Sequence, residues 1–364
     1  SKTVSQIKLN GKLSNYIDEN FSVNQGGVLS PLNFLFVEFL KGLGKYFKDT
    51  GIVLNDEEIL NYLLWADDLV LLSSTPEGLQ SLLDSLHSFT KQWHLIVNTL
   101  KTKVMIISGA RKSKNISFTF NSAIIEQVHE YRYLGCIISD KKGETAQMHA
   151  AVLSGNRALY KVYGLLKPLG QTPPLLAAHL FDIMISPILL YGIEVWGANV
   201  NLDSLNVFER KFLKTTLDVR VQTANLATYG EYGRVPLSYK AHERILNYYY
   251  RLVTLNENSL AYKCFQISKE YHELGYKTWY SHIQQLIELY QINRTSLDKL
   301  YRQRNIVKNN IKTSTVTHYK TKWTNDLTNT TGKLRTYATF KTELQMEPYL
   351  KLNHPKYRKN IARF

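Results

Sequence analysis

The chain has 364 residues, of which 45 are Lys or Arg and 30 are Asp or Glu, so its formal net charge is +15. Apolar residues make up 44% of the sequence, enough for hydrophobic cores, and the length suggests two or three domains. The two cysteines, Cys136 and Cys264, exclude a disulfide scaffold and a cysteine-rich zinc domain.

The first predicted elements are hairpins and helices. Asn10-Gly11 lies between alternating apolar residues and tolerates the positive φ that a two-residue hairpin turn requires. Ser30-Pro31 predicts a helix start, with Ser30 as the N-cap. Residues 59–73 predict a strand, a tight acidic turn and a second strand. Thr75-Pro76 predicts the start of a second helix with one apolar face.

Short strands follow, and the pattern becomes helical after residue 140. Residues 103–108 and 133–139 predict the strands. Helical periodicity then continues in four segments, 143–167, 174–186, 203–217 and 238–253. The sequence therefore predicts an α+β fold class, with helical domains after a mixed domain and with boundaries at Pro173-Pro174 and at 230–236.

No membrane span is predicted. A spanning helix needs about 18 consecutive apolar residues. The most apolar segment, residues 181–196, contains Pro187, Asp182 and Glu194.

The positive charge is concentrated at the C-terminal end. Residues 301–364 contain 14 basic and three acidic residues, net +11, whereas residues 1–300 have a net charge of +4. A local charge of this size favours a polyanion as partner, although a solvated tail without a partner is the alternative. Stacking combined with charge is typical of single-stranded nucleic-acid or RNA binding. The interleaved aromatic residues are Tyr301, Tyr319, Trp323, Tyr337, Phe340, Tyr349, Tyr357 and Phe364.

An acidic pair, Asp67 and Asp68, lies between two apolar segments. Adjacent carboxylates repel each other, so such a pair favours a neutralising cation, and hard oxygen ligands suit Mg²⁺. The alternative is an ordinary surface turn, where Asp is common.

Two further segments have features of phosphate-binding sites. Gln25-Gly26-Gly27 precedes the predicted helix start, where glycines permit close backbone approach and free N–H groups suit an anion. Residues 98–103 contain Lys101 and Lys103, which could contact phosphate or remain solvated.

These segments, in this order, resemble the reverse transcriptase of non-LTR, LINE-type retrotransposons. The matching segments are 25–34, 65–68, 98–102 and 133–135, followed by 187–197, 229–236 and 347–350. The resemblance implies a right-hand polymerase, with a partial palm at 1–140, a helical thumb-like region at 141–235 and a helical, basic extension at 236–364. It implies RNA-templated DNA synthesis from dNTPs, with an RNA template and a DNA primer or target as partners, in an intracellular protein of the nucleus and cytoplasm.

The resemblance also implies a role for each matched residue. Asp67 and Asp68 would be the catalytic, metal-binding carboxylates for two Mg²⁺ ions. Gln25-Gly26 would line the nucleotide and template pocket, and Lys101 would lie near the incoming triphosphate. Tyr133-Leu134-Gly135 would be a strand that seats the primer end.

The sequence departs from the family pattern at several positions. Trp65 replaces the usual Phe or Tyr, and Asn33 replaces an apolar residue. The family has a further metal-binding aspartate upstream, but Asp18 and Glu19 are the sole acids before Gln25 and neither fits that motif. We therefore expect a fragment that lacks the fingers, the upstream aspartate and the family's Cys/His knuckle, and that is inactive when isolated.

Three alternatives stay open at this point. The chain could be a degenerate remnant that acts at most as a nucleic-acid-binding module, or a truncated reading frame without a retained role. Independently of the family, Asp67 and Asp68 could serve a metal-dependent phosphotransfer enzyme or nuclease. That reading needs further ligands, and His87 and His94 are better explained as solvated or helix-end residues.

Overall fold

The computed structural model describes fourteen parts of the chain, which are residues 3–5, 8–9, 12–13, 15, 17–19, 42–47, 50–55, 58–107, 116–169, 173–293, 304–329, 334–352, 358 and 360–362. These residues form two compact units. The first unit contains the described residues up to Val104 together with residues 116–127. The second unit contains residues 105–107 and the described residues from Val128 onward.

The strands are short and form small sheets. In chain order they are β1 (Thr3–Ser5), β2 (Lys8–Leu9), β3 (Lys12–Leu13), β4 (Ile17–Glu19), β5 (Ile52–Asn55), β6 (Glu58–Leu60), β7 (Tyr62–Trp65), β8 (Asp68–Leu71), β9 (Lys103–Val104), β10 (Phe118–Phe120), β11 (Ala123–Gln127), β12 (Glu130–Tyr133) and β13 (Cys136–Ser139). The pairs β1–β4, β2–β3, β5–β6, β7–β8, β10–β11 and β12–β13 are antiparallel, and β9 pairs with β11 in parallel.

The helices follow mainly in the second unit. In chain order the α-helices are α1 (Pro76–Gln92), α2 (Glu144–Leu166), α3 (Pro174–Leu180), α4 (Ser186–Leu189), α5 (Ile193–Trp196), α6 (Asp203–Leu217), α7 (Asn225–Tyr232), α8 (Leu237–Val253), α9 (Leu260–Glu273), α10 (Trp279–Leu289), α11 (Arg304–Thr328) and α12 (Arg335–Phe340). A π-helical turn at Phe181–Ile185 joins α3 to α4, and 3₁₀ turns lie at Gly42–Tyr46, Lys167–Leu169, Gly197–Asn199 and Pro348–Lys351.

In the first unit, helix α1 packs on the hairpin β10–β11. Thr75 caps the helix by accepting a hydrogen bond from the Gly78 N–H at 3.1 Å, as its position before Pro76 predicts. Leu82 and Phe89 form the buried face. The Gln80 side chain both donates to and accepts from the backbone of Thr119, which fixes α1 against β10.

In the second unit, the helices surround a continuous apolar core. Its centre contains Phe181, Leu189, Ile193 and Phe212, all essentially inaccessible to solvent. A smaller core joins α8, α10 and α11. A third joins the C-terminal part of α11 to residues near α7, where Trp323 Nε1 donates to the Leu226 carbonyl at 2.9 Å.

Most predicted elements are confirmed, one is shorter than predicted and one is wrong. The strand predicted at 103–108 ends at Val104. Helical segments 143–167, 203–217 and 238–253 correspond to α2, α6 and α8 within one or two residues at each end. The strands around Asn10-Gly11 pair as a hairpin, whereas those two residues and the predicted helix start at Ser30 lie outside the described residues. Residues 133–139 are not one strand, because Leu134 and Gly135 have φ of 47° and 84° and form the turn between β12 and β13.

The fold combines helices with small, mainly antiparallel sheets, in agreement with the predicted α+β class. The two compact units divide near residue 128, and assignment of 1–140, 141–235 and 236–364 to palm, thumb and extension stays a prediction. None of the helices in the described part of the chain combines the length and the apolar character that a membrane span requires. One pair bent by 59°, Pro174–Leu189 with Ile193–Asn199, meets the length and composition criteria together.

Candidate functional site

The acidic pair lies at the tip of a tight hairpin. Strands β7 and β8 pair in register with Trp65 opposite Asp68, so Ala66 and Asp67 form a two-residue turn. Ala66 has a φ of 54° whereas Asp67 does not have positive φ, the pattern of a type II′ turn. Both carboxylates are exposed, and Trp65 beside them is 67% exposed. The predicted strand, acidic turn and strand are therefore confirmed, although these strands are half-buried rather than part of a buried sheet.

Asp67 and Asp68 alone would form only part of a metal centre. Among the residues that the structure describes, no group of three or more His, Cys, Asp or Glu is arranged to hold a metal ion. The donor set nevertheless fits Mg²⁺, because that ion is usually held by one or two carboxylates, several waters and substrate phosphates. Any complete site would therefore need oxygen ligands from a substrate or from residues outside the described parts.

Lys101 lies in a compact turn just before β9. Asn98 organises this turn, because its side-chain oxygen accepts from the Lys101 N–H and its carbonyl accepts from the Thr102 N–H and hydroxyl. Lys103 is paired with Glu126 at 2.5 Å across the parallel strands. Lys101, in contrast, is exposed and forms no ion pair with any residue that the structure describes.

The Tyr133-Leu134-Gly135 segment lies in the second unit, at the β12–β13 turn. Tyr191 contacts this turn directly, since its hydroxyl donates to the Leu134 carbonyl at 2.9 Å. Gln25 and Gly26, the remaining predicted site residues, lie outside the described residues.

A buried ionic network was not predicted from the sequence. Glu209, fully buried on α6, accepts from Arg234, from the Tyr229 hydroxyl and from the Leu237 N–H that begins α8. Arg234 also makes two hydrogen bonds to Asp182 in the π-helical turn, at 2.7 and 2.8 Å. Burial alone would raise the pKa of Asp182, but the bonds and charges of Arg234 and Lys240 outweigh it and lower that pKa to about 2.

One sequence signal could have revealed Glu209. It lies four residues from both Leu205 and Leu213, and most of the other buried positions of this helix are hydrophobic, with Lys214 and Thr216 as the exceptions. A charged residue among them requires a buried partner. Because Tyr229, Arg234 and Asp182 come from three other segments, the sequence could indicate the need for a partner but not its identity.

The C-terminal aromatic residues that the structure describes are mainly structural, contrary to the stacking role predicted for them. Tyr319 and Trp323 are buried on α11. Tyr337 and Tyr349 both donate to the Glu231 carboxylate, at 2.8 and 2.5 Å. Among the described members of that predicted set, Phe340 alone is largely exposed, at 84%. Charge and aromatic side chains are therefore separated in this region.

Comparison with known proteins finds a match for the first part of the chain. Residues 2–138 match the reverse transcriptase (RNA-dependent DNA polymerase) family. Over these residues the chain is similar to reverse transcriptases. The matched residues include the acidic hairpin, Lys101 and the Leu134–Gly135 turn.

The curated proteins similar to this chain come from mobile elements. The chain is 26% identical over 203 residues to the RNA-directed DNA polymerase of mobile element jockey from Drosophila funebris, covering 53% of this chain and 21% of that protein. It is 25% identical over 210 residues to the RNA-directed DNA polymerase of transposon BS from Drosophila melanogaster, covering 54% and 22%. A transposon-derived protein of Caenorhabditis elegans is 30% identical over 143 residues, covering 38% and 50%.

These relatives support the non-LTR, LINE-type resemblance of the chain. The chain spans about a fifth of the length of the two Drosophila polymerases and half of the Caenorhabditis elegans protein.

Proposed function

We propose that this chain contributes the acidic turn and the primer seat of an enzyme that synthesises DNA on an RNA template. The observation that carries the proposal is the β7–β8 hairpin, which presents Asp67 and Asp68 in the exposed turn of a segment similar to reverse transcriptases. The substrates would be dNTPs, an RNA template and a primer 3′ hydroxyl. A location in the nucleus and cytoplasm stays a prediction.

The chain's own residues would bind and orient the substrates. Asp67, at the second turn position, would be the main ligand for Mg²⁺, and Asp68 would be the adjacent carboxylate. When bound, two such ions would stabilise the attacking and leaving oxygens of phosphoryl transfer. Lys101, exposed and without an ion pair among described residues, would neutralise charge on the triphosphate.

The hairpin itself would hold this arrangement. Four consecutive residue pairs, from Tyr62 with Leu71 to Trp65 with Asp68, fix the turn in register. Because a one-residue slip would move every side chain to the other face, this register determines where Asp67 projects.

Primer extension tests the proposal. We expect Asp67→Ala to reduce extension of a DNA primer on an RNA template, with dNTPs and Mg²⁺, by at least about 100-fold, because it removes a metal-binding group that acts in the transition state. The assay should use the full reading frame that contains this chain. Asp84→Ala is the matched control, since Asp84 is an exposed aspartate on α1 of the same unit.

Two results would contradict the proposal. Extension that is unchanged by Asp67→Ala would remove this turn from the chemistry. A wild-type protein that binds an RNA–DNA hybrid but extends no primer would instead favour the nucleic-acid-binding module.

A specific observation favours that second candidate. Helix α11 contains five basic residues, Arg304, Lys308, Lys312, Lys320 and Lys322, against Asp326 alone, and all five basic side chains are exposed. A separate stripe of the helix, which includes Val307, Ile311, Tyr319 and Trp323, is buried. Helix α11 thus has a cationic surface suited to phosphate, and nucleic acid bound there would be held through its backbone.

A further inference from the structure

The β12–β13 turn has an unusual backbone that needs external support. Leu134 and Gly135 both have positive φ, the requirement of a type I′ turn, which strongly prefers Asn or Gly at its first position. Leucine disfavours this left-handed region because its Cβ approaches the following carbonyl oxygen. Such conformations persist where the surrounding structure holds them, and they occur often at functional sites.

Tyr191 supplies that support. Its hydroxyl donates to the Leu134 carbonyl at 2.9 Å, and its ring lies so close to Gly135 that a Cβ atom there would be 2.9 Å from Tyr191 Cε1. The next residue, Gly192, approaches the first residue of β13 equally closely, because its own Cβ would lie 2.9 Å from Cys136 Sγ.

Tyr191 is itself held by the core of the second unit. The buried Trp196 donates through Nε1 to the Tyr191 carbonyl at 2.8 Å, and Arg244 donates to the neighbouring Leu190 carbonyl at 2.9 Å. On the other side, the Ile137 N–H of β13 donates to Gln147, a buried side chain on α2, at 2.7 Å. The turn is thus fixed between two anchored elements.

The turn remains open to a ligand. Leu134 is 40% exposed. The N–H groups of Leu134 and Gly135 have no acceptor within the described parts of the chain. Successive backbone N–H groups in a turn suit an anion such as a phosphodiester oxygen.

We infer that Tyr191 is a positioning residue for primer binding, because it holds the Leu134–Gly135 turn in the conformation that receives the terminal phosphodiester of the primer. This inference rests on the proposed function, since it assumes that the turn seats a primer end. Tyr191 acts through the turn and takes no part in bond formation.

The test compares binding to two RNA–DNA hybrids of equal length and charge. One has a recessed primer 3′ end, and the other is a closed dumbbell without any 3′ end. We expect the wild-type chain to prefer the recessed end. Tyr191→Phe, which removes only the hydroxyl, should reduce that preference by about 5-fold, the equivalent of one lost hydrogen bond. Tyr160→Phe is the matched control, because Tyr160 is 76% exposed on α2.

Hydrogen exchange of the Cys136 and Ile137 amides provides a second readout that does not depend on nucleic acid. Faster exchange in Tyr191→Phe, with protection elsewhere retained, would support the inference that Tyr191 holds the turn. If the wild-type chain prefers the recessed end and Tyr191→Phe keeps that preference, the inference about Tyr191 is wrong, but the proposed primer-binding role of the turn is unaffected. Absence of any end preference in the wild-type chain would overturn the primer seat and, with it, the inference.

Discussion

Asp67 and Glu209 show how differently two acidic residues of this chain are placed. The sequence predicted the Asp67 turn because its signal is local, consisting of two apolar runs interrupted by Ala-Asp-Asp, and the hairpin register confirms it. Glu209 depends on partners from distant segments, so the sequence could not assign its role. Local turn chemistry was therefore readable, whereas long-range pairing was not.

Glu209 also provides a stability prediction. We expect Glu209→Ala to lower the free energy of unfolding by about 3–5 kcal/mol, because it leaves Arg234 and the Leu237 N–H buried without this acceptor. Chemical denaturation monitored by circular dichroism would measure the change. Glu288→Ala, at an exposed position on α10, should have an effect within about 0.5 kcal/mol. Equal losses in the two variants would contradict a supporting role for the network.

At the scale of elements, three helices meet around histidines. His242 on α8 lies 2.6 Å, Nδ1 to hydroxyl oxygen, from Tyr290 at the end of α10. His282 on α10 and His318 on α11 lie nearby, with ring contacts to His242 and Tyr290 respectively. Burial, with a further contribution from the charges of His282 and His318, lowers the pKa of His242 from 6.5 to about 4.

This lowered pKa predicts acid sensitivity. Between pH 6.5 and about 4 the unfolded chain binds a proton at His242 and the folded chain does not, so the free energy of unfolding falls as the pH falls through this window. The contribution of His242 amounts to at most about 3 kcal/mol. His242→Gln should flatten the pH dependence in urea titrations, whereas His179→Gln, at an exposed site on α3, should preserve it. Identical pH profiles for wild type and His242→Gln would refute this assignment.

For helix α11, the sequence did not reveal which side chains are buried. The interleaving of charge and aromatic residues suggested base stacking, but burial recurs every four residues from Val307 to Leu327 and places Tyr319 and Trp323 in the core. The amino-acid composition does not show that the aromatic and the basic side chains lie on different faces of the helix. A mostly polar sequence with one apolar residue per turn leaves the identity of the buried face to tertiary packing.

At the scale of the whole molecule, the sequence gives the net charge of +15 but not which of the charged side chains are exposed. In residues 301–364, Lys341 is buried and paired with Glu347, whereas the basic residues of α11 are exposed. The chain's affinity for nucleic acid would therefore depend on the side-chain surface of α11 and on its salt environment.

A charge-neutralised variant of the whole chain tests this dependence. Replacing Lys308, Lys312, Lys320 and Lys322 with Gln should reduce the slope of log affinity against log salt by about 0.7 for each lost contact with single-stranded RNA. The affinities for poly(A) and for poly(U) should change by the same factor, because the α11 aromatic residues are unavailable for base stacking. Filter binding over a salt series would measure both effects.

The matched control neutralises four exposed lysines elsewhere, Lys141, Lys161, Lys211 and Lys277. An equal loss of slope in that variant would mean that total charge, rather than α11, determines binding. Point substitutions are preferable to deletion of residues 301–364, since that deletion would also remove Trp323 and Tyr319 from the core.

Glu231 accepts hydrogen bonds from residues that lie more than a hundred positions later in the chain. Tyr337 and Tyr349 donate to its carboxylate, and the backbone of Glu347 donates to its carbonyl at 2.9 Å. During synthesis on a ribosome, α7 must therefore emerge well before the residues that cover it. Contacts of such sequence separation form slowly because loop closure precedes them. The second unit would thus complete its packing late in translation, and a nascent chain stalled before residue 334 would leave Glu231 without these hydrogen bonds.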